Sequence, residues 1–378
     1  MKSKICFLLS KFSKGGGERV VSILSDELLK YYDVDVLLMQ EKTIEDYKTN
    51  ARIVELNSKK TSNNHLLLIE SVINLKKYIR ANKPKVIISF MELPNLVNLL
   101  VSGKHKRYIS VRNHMSTKWG TKKNIWNLSI YMYKKADVVI SPTRLISDDL
   151  IQNYKLKKEK IIIINNPYKI SEIRQKVLSK NTDVFHIVTM GSLVKAKGIF
   201  PLLQSYIFFC KEHPEINSKL TFIGKGIEEN ELRQRVSEAG LTEKVEFKGF
   251  MSEPHGVLSQ ADLYVLASYY EGFPNALVEA MACNVPVIAT NCPSGPNEIL
   301  SKAKVGEINK IKKCDFGYMM PVFDRNIQDK ERNLARFFYD FYKKTNDEKK
   351  SIAETAFNRI TEFDAEKVAL EWKNLIWR

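Results

Sequence analysis

Leu263-Tyr264-Val265-Leu266-Ala267-Ser268, then Tyr270-Glu271-Gly272-Phe273-Pro274-Asn275-Ala276-Leu277-Val278-Glu279-Ala280-Met281, then Pro286-Val287-Ile288-Ala289-Thr290: this stretch decides the fold. It reads as a buried strand, a glycine-bearing turn, a helix and a second buried strand. Residues 276–282 are good helix formers, and Pro274 and Asn275 suit a helix start. In an open parallel sheet, ligands bind outside the carboxyl ends of the strands, so the turn carrying Glu271 is where a site is expected. Glu279 follows eight positions later. At about 3.6 residues per turn that is roughly two helical turns, which returns it near the same face. The plain alternative is two surface carboxylates on an ordinary helix.

Outward from that stretch the pattern repeats. Apolar runs suited to strands fall at residues 4–9, 34–39, 52–56, 85–90, 107–111, 137–141 and 161–164, with helical periodicity between them, as at 18–31 and 65–80. Further runs at 185–190, 220–223, 245–250, 263–268, 286–290 and 317–321 continue it. Strands alternating with helices imply parallel sheets covered by helices, here two doubly wound α/β domains. The polar stretch 165–183, opening with Asn165-Asn166-Pro167, reads as a linker. Residues 347–378 read as helix, with Ile352, Ala356, Ile360, Val368 and Trp372 apolar.

The 378 residues are enough for two ordinary domains, and 44% hydrophobic with 27% charged residues suits a soluble globular protein. Residues 5–9 form an apolar run too short for a signal peptide. The region 86–101 is broken by Glu92, Pro94, Asn95 and Asn98, so it is not expected to span a membrane. The five cysteines show neither metal-ligand spacing nor a disulfide framework, which points to a reduced, cytoplasmic protein. Net charge is +17 and uneven: residues 1–170 hold 31 Lys and Arg against 15 Asp and Glu, and residues 171–378 hold 29 against 28. An excess confined to one half points to an anionic partner, either nucleic acid or a negatively charged membrane surface. A generally lysine-rich surface would spread it over both halves.

Other candidate residues also fall at strand ends. Gly15-Gly16-Gly17-Glu18-Arg19 follows the first strand and opens a helix, where backbone N–H groups attract phosphate and glycines admit it closely. A flexible turn is the competing reading. The triplet lacks the G-x-G-x-x-G and G-K-[ST] patterns of dinucleotide and P-loop sites. Gly191-Ser192-Leu193-Val194-Lys195-Ala196-Lys197-Gly198 ends the strand at 185–190. Gly224-Lys225-Gly226 follows the next strand as a tight turn. Ser110-Val111-Arg112-Asn113-His114 ends a strand of the first half, with Arg112 placed to steady phosphate or acceptor charge. Glu92, in Phe90-Met91-Glu92-Leu93-Pro94-Asn95, either touches an acceptor or caps the helix that follows.

The segment from Glu271 to Leu300 resembles the E-x7-E region of the family-four glycosyltransferases of the GT-B fold. The likeness continues through Cys283-Asn284-Val285-Pro286-Val287-Ile288-Ala289-Thr290, with Asn284 where that family usually has Gly; Asn also accepts positive φ. Gly191 to Gly198 is similar to the family's G-R-L-x-x-x-K-G segment. Lys197 matches its Lys, but Ser192 stands at the Arg position, so one phosphate-neutralising charge is missing and Lys195 is a candidate to replace it.

The resemblance implies two Rossmann-like domains facing across a cleft: 1–168 for the acceptor, 169–355 for the nucleotide sugar, and a helix at 356–378 crossing back to the first. It implies a retaining hexosyltransferase using a UDP-sugar, with no Mg²⁺ and no other cofactor expected. Glu279 would hold the ribose, and Glu271 with the Phe273, Pro274 and Asn275 backbone the donor sugar. Lys197, Lys195 and the amides near Gly16 and Gly17 would meet the diphosphate. Gly224 would shape the donor loop, residues 248–256 would receive the base, and His114 would lie near the transferred sugar. The run Cys292-Pro293-Ser294-Gly295-Pro296 resembles that of bacterial enzymes using UDP-GalNAc, UDP-GlcNAc or UDP-Gal. A saccharide or lipid-diphosphate-linked acceptor of surface-glycan assembly is expected.

Two rival readings stand. One is another GT-B activity, such as a UDP-sugar 2-epimerase or an inverting transferase. The other is a basic nucleic-acid-binding protein, which would show salt-dependent affinity but lacks a recognisable binding module. No nucleic-acid partner is expected. In residues 118–135, Trp, Tyr and Lys interleave with Ile125, Leu128 and Met132. That pattern suits a helix lying in the headgroup layer at the inner membrane face, or equally a helix packing its aromatics on the core.

Overall fold

The computed structural model describes residues 2–13, 15–41, 47–57, 64–119, 129–180, 183–303 and 305–377. They form two units, Met1–Lys169 with Glu362–Arg378, and Ile170–Thr361.

In the first unit the strands are β1 (Lys4–Leu9), β2 (Asp33–Leu38), β3 (Arg52–Glu55), β4 (Val86–Phe90), β5 (Lys106–Ser110), β6 (Val138–Ser141) and β7 (Ile161–Ile163). They lie in the order β3-β2-β1-β4-β5-β6-β7, with every pairing parallel. Alternation along β1 explains the two helical layers, because successive side chains leave on opposite faces. Ile5, Phe7 and Leu9 pack with Val20, Val21 and Leu24 of the helix Gly16–Leu28, and with Val368, Trp372 and Ile376 of the last helix, Ala365–Trp377. Cys6 and Leu8 pack on the other side with Leu67, Leu75 and Ile79 of the helix Asn64–Asn82 and with Val97.

The second unit repeats the plan with β8 (Phe185–Met190), β9 (Ser218–Ile223), β10 (Val245–Gly249), β11 (Leu263–Leu266), β12 (Val287–Thr290), β13 (Lys312–Cys314) and β14 (Gly317–Met320). The order is β10-β9-β8-β11-β12-β14-β13. Among the described residues only β13 runs antiparallel, paired with β14. The pattern reading missed it, because Lys312-Lys313-Cys314 is a polar edge strand with no buried face to leave a signal.

Two further expectations need correction. The stretch 165–183 is not simply a linker. Asn166 and Tyr168 are buried, Tyr168 N–H bonds to Phe363 O at 2.9 Å, and Ile170–Gln175 is helical. Nor are residues 347–378 one helix. Asn346–Ile360, opened by a Thr345–Glu348 capping box, belongs to the second unit, and a 3₁₀ turn at Thr361–Phe363 separates it from Ala365–Trp377.

The last helix is held by Trp372, 1% exposed, whose ring stacks on Phe90 at 6.2 Å and meets Phe7 edge-on at 6.5 Å. Trp372→Ala is predicted to destabilise the first unit by about 3–5 kcal/mol, the usual cost of such a cavity. Urea unfolding followed by circular dichroism checks it, and a change below about 1 kcal/mol would show that this helix is not part of the core.

Candidate active site

The strand ends of the second unit are fastened backbone to backbone. Gly191 N–H bonds to Ile223 O at 2.9 Å, Leu193 N–H to Lys225 O at 3.0 Å and Gly224 N–H to Gly249 O at 2.7 Å. A side chain at Gly224, where φ is +138°, would put its Cβ 1.9 Å from Gly191 O. Gly198, at φ +62°, lies so close that a Cβ would stand 2.0 Å from Ala267 O. Only glycine gives both the conformation and the approach. These contacts seat the turn Lys195–Lys197 beside the end of β11, where Tyr269 N–H bonds to Ala196 O at 2.9 Å.

There Glu271 takes its place. Its N–H donates to Pro293 O at 2.7 Å, and its carbonyl accepts from Ser294 N–H at 3.1 Å. Its carboxylate accepts from Lys197 Nζ at 2.7 Å and from Ser268 Oγ at 2.6 Å. Ser294 Oγ also donates to Gly272 O at 2.7 Å. Phe273 and Pro274 are buried, and Asn275 begins the helix Asn275–Ala282 that carries Glu279. Glu279 is 2% exposed, with its Oε2 3.4 Å from His255 Nε2. The phenol of Tyr264 in β11 is held well above its usual range, first by burial and then by the Glu271 and Glu279 carboxylates. Burial pushes the Cys283 and Cys292 thiols up to about 12, so neither is a thiolate nucleophile near neutral pH.

Lys195 is exposed and pairs with no carboxylate among the described residues, and Ser192 is exposed beside it. Asn284 has φ +59°, the left-handed conformation anticipated for the residue at the usual glycine position.

In the first unit, the helix Gly16–Leu28 starts at the glycine triplet, and Gly17 approaches Met91 at the end of β4. His114 Nδ1 lies 2.9 Å from Thr117 Oγ1 and 3.7 Å from Asp149 Oδ2. Asp149 is buried, bonded by Ser116 N–H at 3.1 Å and Asn153 Nδ2 at 2.8 Å. With Nδ1 so engaged, Nε2 is the nitrogen left for other chemistry. Glu92 caps no helix by its side chain. Met91 is the N-cap, and Glu92 pairs with Lys118 at 2.8 Å and Asn113 at 3.3 Å. Arg112 is buried on the ring of Phe90, bonded to Ser110 Oγ at 3.2 Å and to Asn166; burial pushes its guanidinium down to about 10. Residues 120–128 of the basic, aromatic segment lie outside the described residues.

The chain contains an Asp-x-Asp, Asp33-Val34-Asp35, a spacing that can serve a metal ion, so the expectation of metal-independent transfer rests on the family resemblance alone. Asp35 is committed to structure: it is buried and paired with Arg52, Lys4 and Tyr78. Among the described residues no group of three or more His, Cys, Asp or Glu is placed to hold a metal ion.

Ser268 and Asp149 are neighbours of candidate residues that sequence reasoning did not single out, and His255 and Ser294 fell in singled-out segments without a role for their side chains. Ser268, three residues before Glu271 at a strand end, left a usable signal. His255 and Asp149 act through contacts distant in sequence and left none.

Two doubly wound units with a Lys–Glu pair and a second buried Glu at one strand end define an α/β protein of the GT-B type. Anabaena HepE, solved with UDP and glucose, superposes with a TM-score of 0.76 at 18% identity, covering 99% of each chain. The Glycosyltransferase Family 4 model matches residues 14–172, and the Glycosyl transferases group 1 model matches residues 170–314. The chain belongs to the family-four glycosyltransferases. An uncharacterized glycosyltransferase of Methanocaldococcus jannaschii is 28% identical over 92% of this chain and 93% of its own. The N-acetylgalactosamine-N,N'-diacetylbacillosaminyl-diphospho-undecaprenol 4-alpha-N-acetylgalactosaminyltransferase of Campylobacter jejuni is 27% identical over 88% and 94%.

The glycine contacts give a direct test. Gly198→Ala is predicted to cost about 1–3 kcal/mol in strain and to displace the turn that carries Lys197, lowering stability and any activity that depends on that turn. A folded variant that keeps wild-type stability in calorimetry, and wild-type activity, would show that the loop tolerates displacement.

Proposed function

We propose that this glycosyltransferase moves GalNAc, GlcNAc or Gal, with retention, from a UDP-sugar to a hydroxyl of a lipid-linked or growing saccharide in bacterial surface-glycan assembly. The observation that carries the reading is the Glu271 carboxylate held by Lys197 and Ser268, with Glu279 buried eight residues on. The Campylobacter relative supports it, since its name specifies N-acetylgalactosaminyl transfer and a diphospho-undecaprenol-linked saccharide. So does the Anabaena structure, solved with UDP and glucose.

The roles follow from where charge develops. As the bond from the anomeric carbon to the diphosphate breaks, the leaving group gains negative charge, and preorganised cations aimed there lower the barrier. Lys197 takes that role, Lys195 supplies the charge missing at Ser192, and the amides near Gly16 and Gly17 add to it. Glu271 and the backbone of Phe273, Pro274 and Asn275 hold the sugar, Glu279 holds the ribose hydroxyls, and Gly224 shapes the donor loop. His114 stands by the transferred sugar. The acceptor oxygen bonds to the same face of the anomeric carbon, and its proton passes to the departing phosphate oxygen. No covalent enzyme intermediate is required, and no metal ion. The nucleic-acid rival leaves the Lys197–Glu271–Ser268 arrangement without a use.

A nucleotide-sugar panel read by thermal shift identifies the donor. Glu279→Gln is expected to weaken UDP binding by about 1.5–3 kcal/mol, the range for a hydrogen bond to a charged group; unchanged affinity in calorimetry would remove that role. Lys197→Ala and Lys195→Ala are expected to depress turnover far more than UDP affinity. Full activity in Lys195→Ala would leave the Ser192 vacancy unfilled by it.

We also assign the charge excess of residues 1–170 to contact with an anionic membrane surface. Each basic residue near such a surface contributes about 1 kcal/mol, so a few lysines suffice for reversible attachment. Among the described residues no helix is long and apolar enough to cross a membrane. Co-sedimentation with vesicles should require anionic lipid and weaken with salt. Equal binding to neutral vesicles, or none to either, would favour an acceptor met in solution.

A further inference from the structure

His255 falls in the segment 248–256 expected to receive the base, but its side chain has been given no role. It is 6% exposed, and neither ring nitrogen has a hydrogen-bond partner among the described residues. A buried polar ring in that state requires an explanation, because each unsatisfied group retains its desolvation cost. Its neighbours supply one. Nε2 stands 3.4 Å from Glu279 Oε2, and Nδ1 stands 3.8 Å from Glu253 Oε2. Glu253 is itself neutralised by an ion pair with Lys176. A further charged group of this neighbourhood, Arg174 on the helix Ile170–Gln175, acts on the thiol of Cys283. That thiol donates to the His255 carbonyl at 3.7 Å, and burial raises it to about 12, so it carries no charge near neutrality. Of the two carboxylates facing the ring, that of Glu279 is the nearer and the buried one.

We infer that His255 is a positioning residue for Glu279: its imidazolium fixes one oxygen of the buried carboxylate, so that the other meets the donor's ribose in a set orientation. This rests on the reading that Glu279 holds the ribose. Protonated, the ring turns the contact into a charge-assisted bond, roughly twice as strong as a neutral one. Deprotonated, it leaves a neutral ring against a buried carboxylate, and the carboxylate is less firmly held. Donor affinity is thus coupled to proton concentration through a group that does not touch the donor.

Calorimetry with UDP on the full chain tests this at pH values from about 5.5 to 8.5, the span over which an ordinary imidazole changes charge. Wild type is compared with His255→Gln and, should that variant not fold, with His255→Phe. The phosphate of UDP titrates in the same span, but it is common to both proteins and cancels in the ratio of their dissociation constants. That ratio is expected to be roughly three- to tenfold at the acid end and to fall towards one at the alkaline end. A ratio constant across the range, whatever its size, overturns the inference, since a merely structural role would give that result. Glu279→Gln, measured alongside, separates the two claims. If it weakens UDP binding while the His255 ratio stays flat, only the inference fails. If it binds UDP like wild type, the ribose role of Glu279 falls and the inference falls with it.

Discussion

Backbone packed on backbone at the carboxyl ends of β8, β9 and β11 is the constraint on which the candidate site depends. Parallel strands all finish at the same edge of a sheet, so their following loops must share a small area. Here they share it by removing side chains. Gly224 lies against Gly191 and Gly198 against Ala267, each so near that a single methyl group would strike a carbonyl oxygen. Lys197 adjoins Gly198, and Glu271 follows shortly after Ala267. The approach of the two loops is therefore what brings an ammonium and a carboxylate to 2.7 Å from positions 74 residues apart.

Charge is treated differently in the two units. In the first, buried charge is neutralised or dispersed for structural ends. Asp35 is surrounded by Arg52, Lys4 and Tyr78, and Arg112 lies on an aromatic face with amide and hydroxyl partners. Desolvation of such groups is expensive, and the bonds around them offset it without leaving capacity for a ligand. In the second unit Glu279 is buried, but the Lys197–Glu271 pair at the strand end keeps some exposure. The Lys197 side chain is 32% exposed and that of Glu271 is 10% exposed.

Much of this was legible in the sequence, for definable reasons. Most strands are buried and leave continuous apolar runs, and thirteen of the fourteen among the described residues were visible as apolar or β-branched runs; β13, short and charged at a sheet edge, was not. Glu271 could be named from its place in a strand-end turn, and Lys197 only through the family resemblance of Gly191 to Gly198, since without it a lysine there reads as an ordinary exposed one. The helical tail misled because periodicity does not register the break at Thr361–Phe363, where three residues of 3₁₀ geometry redirect the chain. His255 was invisible for another reason. Its partner is 24 positions away, and nothing local distinguishes a histidine that meets a carboxylate from one that fills space. Asp33-Val34-Asp35 shows the converse, a motif with catalytic associations whose buried carboxylate is wholly occupied by cations and a phenol.

The Lys197–Glu271 pair bears on how a diphosphate could be accepted without a large electrostatic penalty. A lysine left unpaired at a half-buried strand end would be desolvated without compensation. Paired with Glu271, it is stabilised but not committed, because an ion pair open to water is worth only about 0–1 kcal/mol. An incoming diphosphate offers more negative charge than one carboxylate, so Lys197 can pass to it at small cost. Glu271 does not then lose all support, since Ser268 Oγ stays at 2.6 Å and the backbone on both sides of the turn remains bonded to Pro293 and Ser294. The carboxylate so released keeps its position and gains acceptor capacity for sugar hydroxyls. Under the proposed roles, the resting ion pair would hold each group close to where the ligand needs it, and binding would exchange one salt bridge for another.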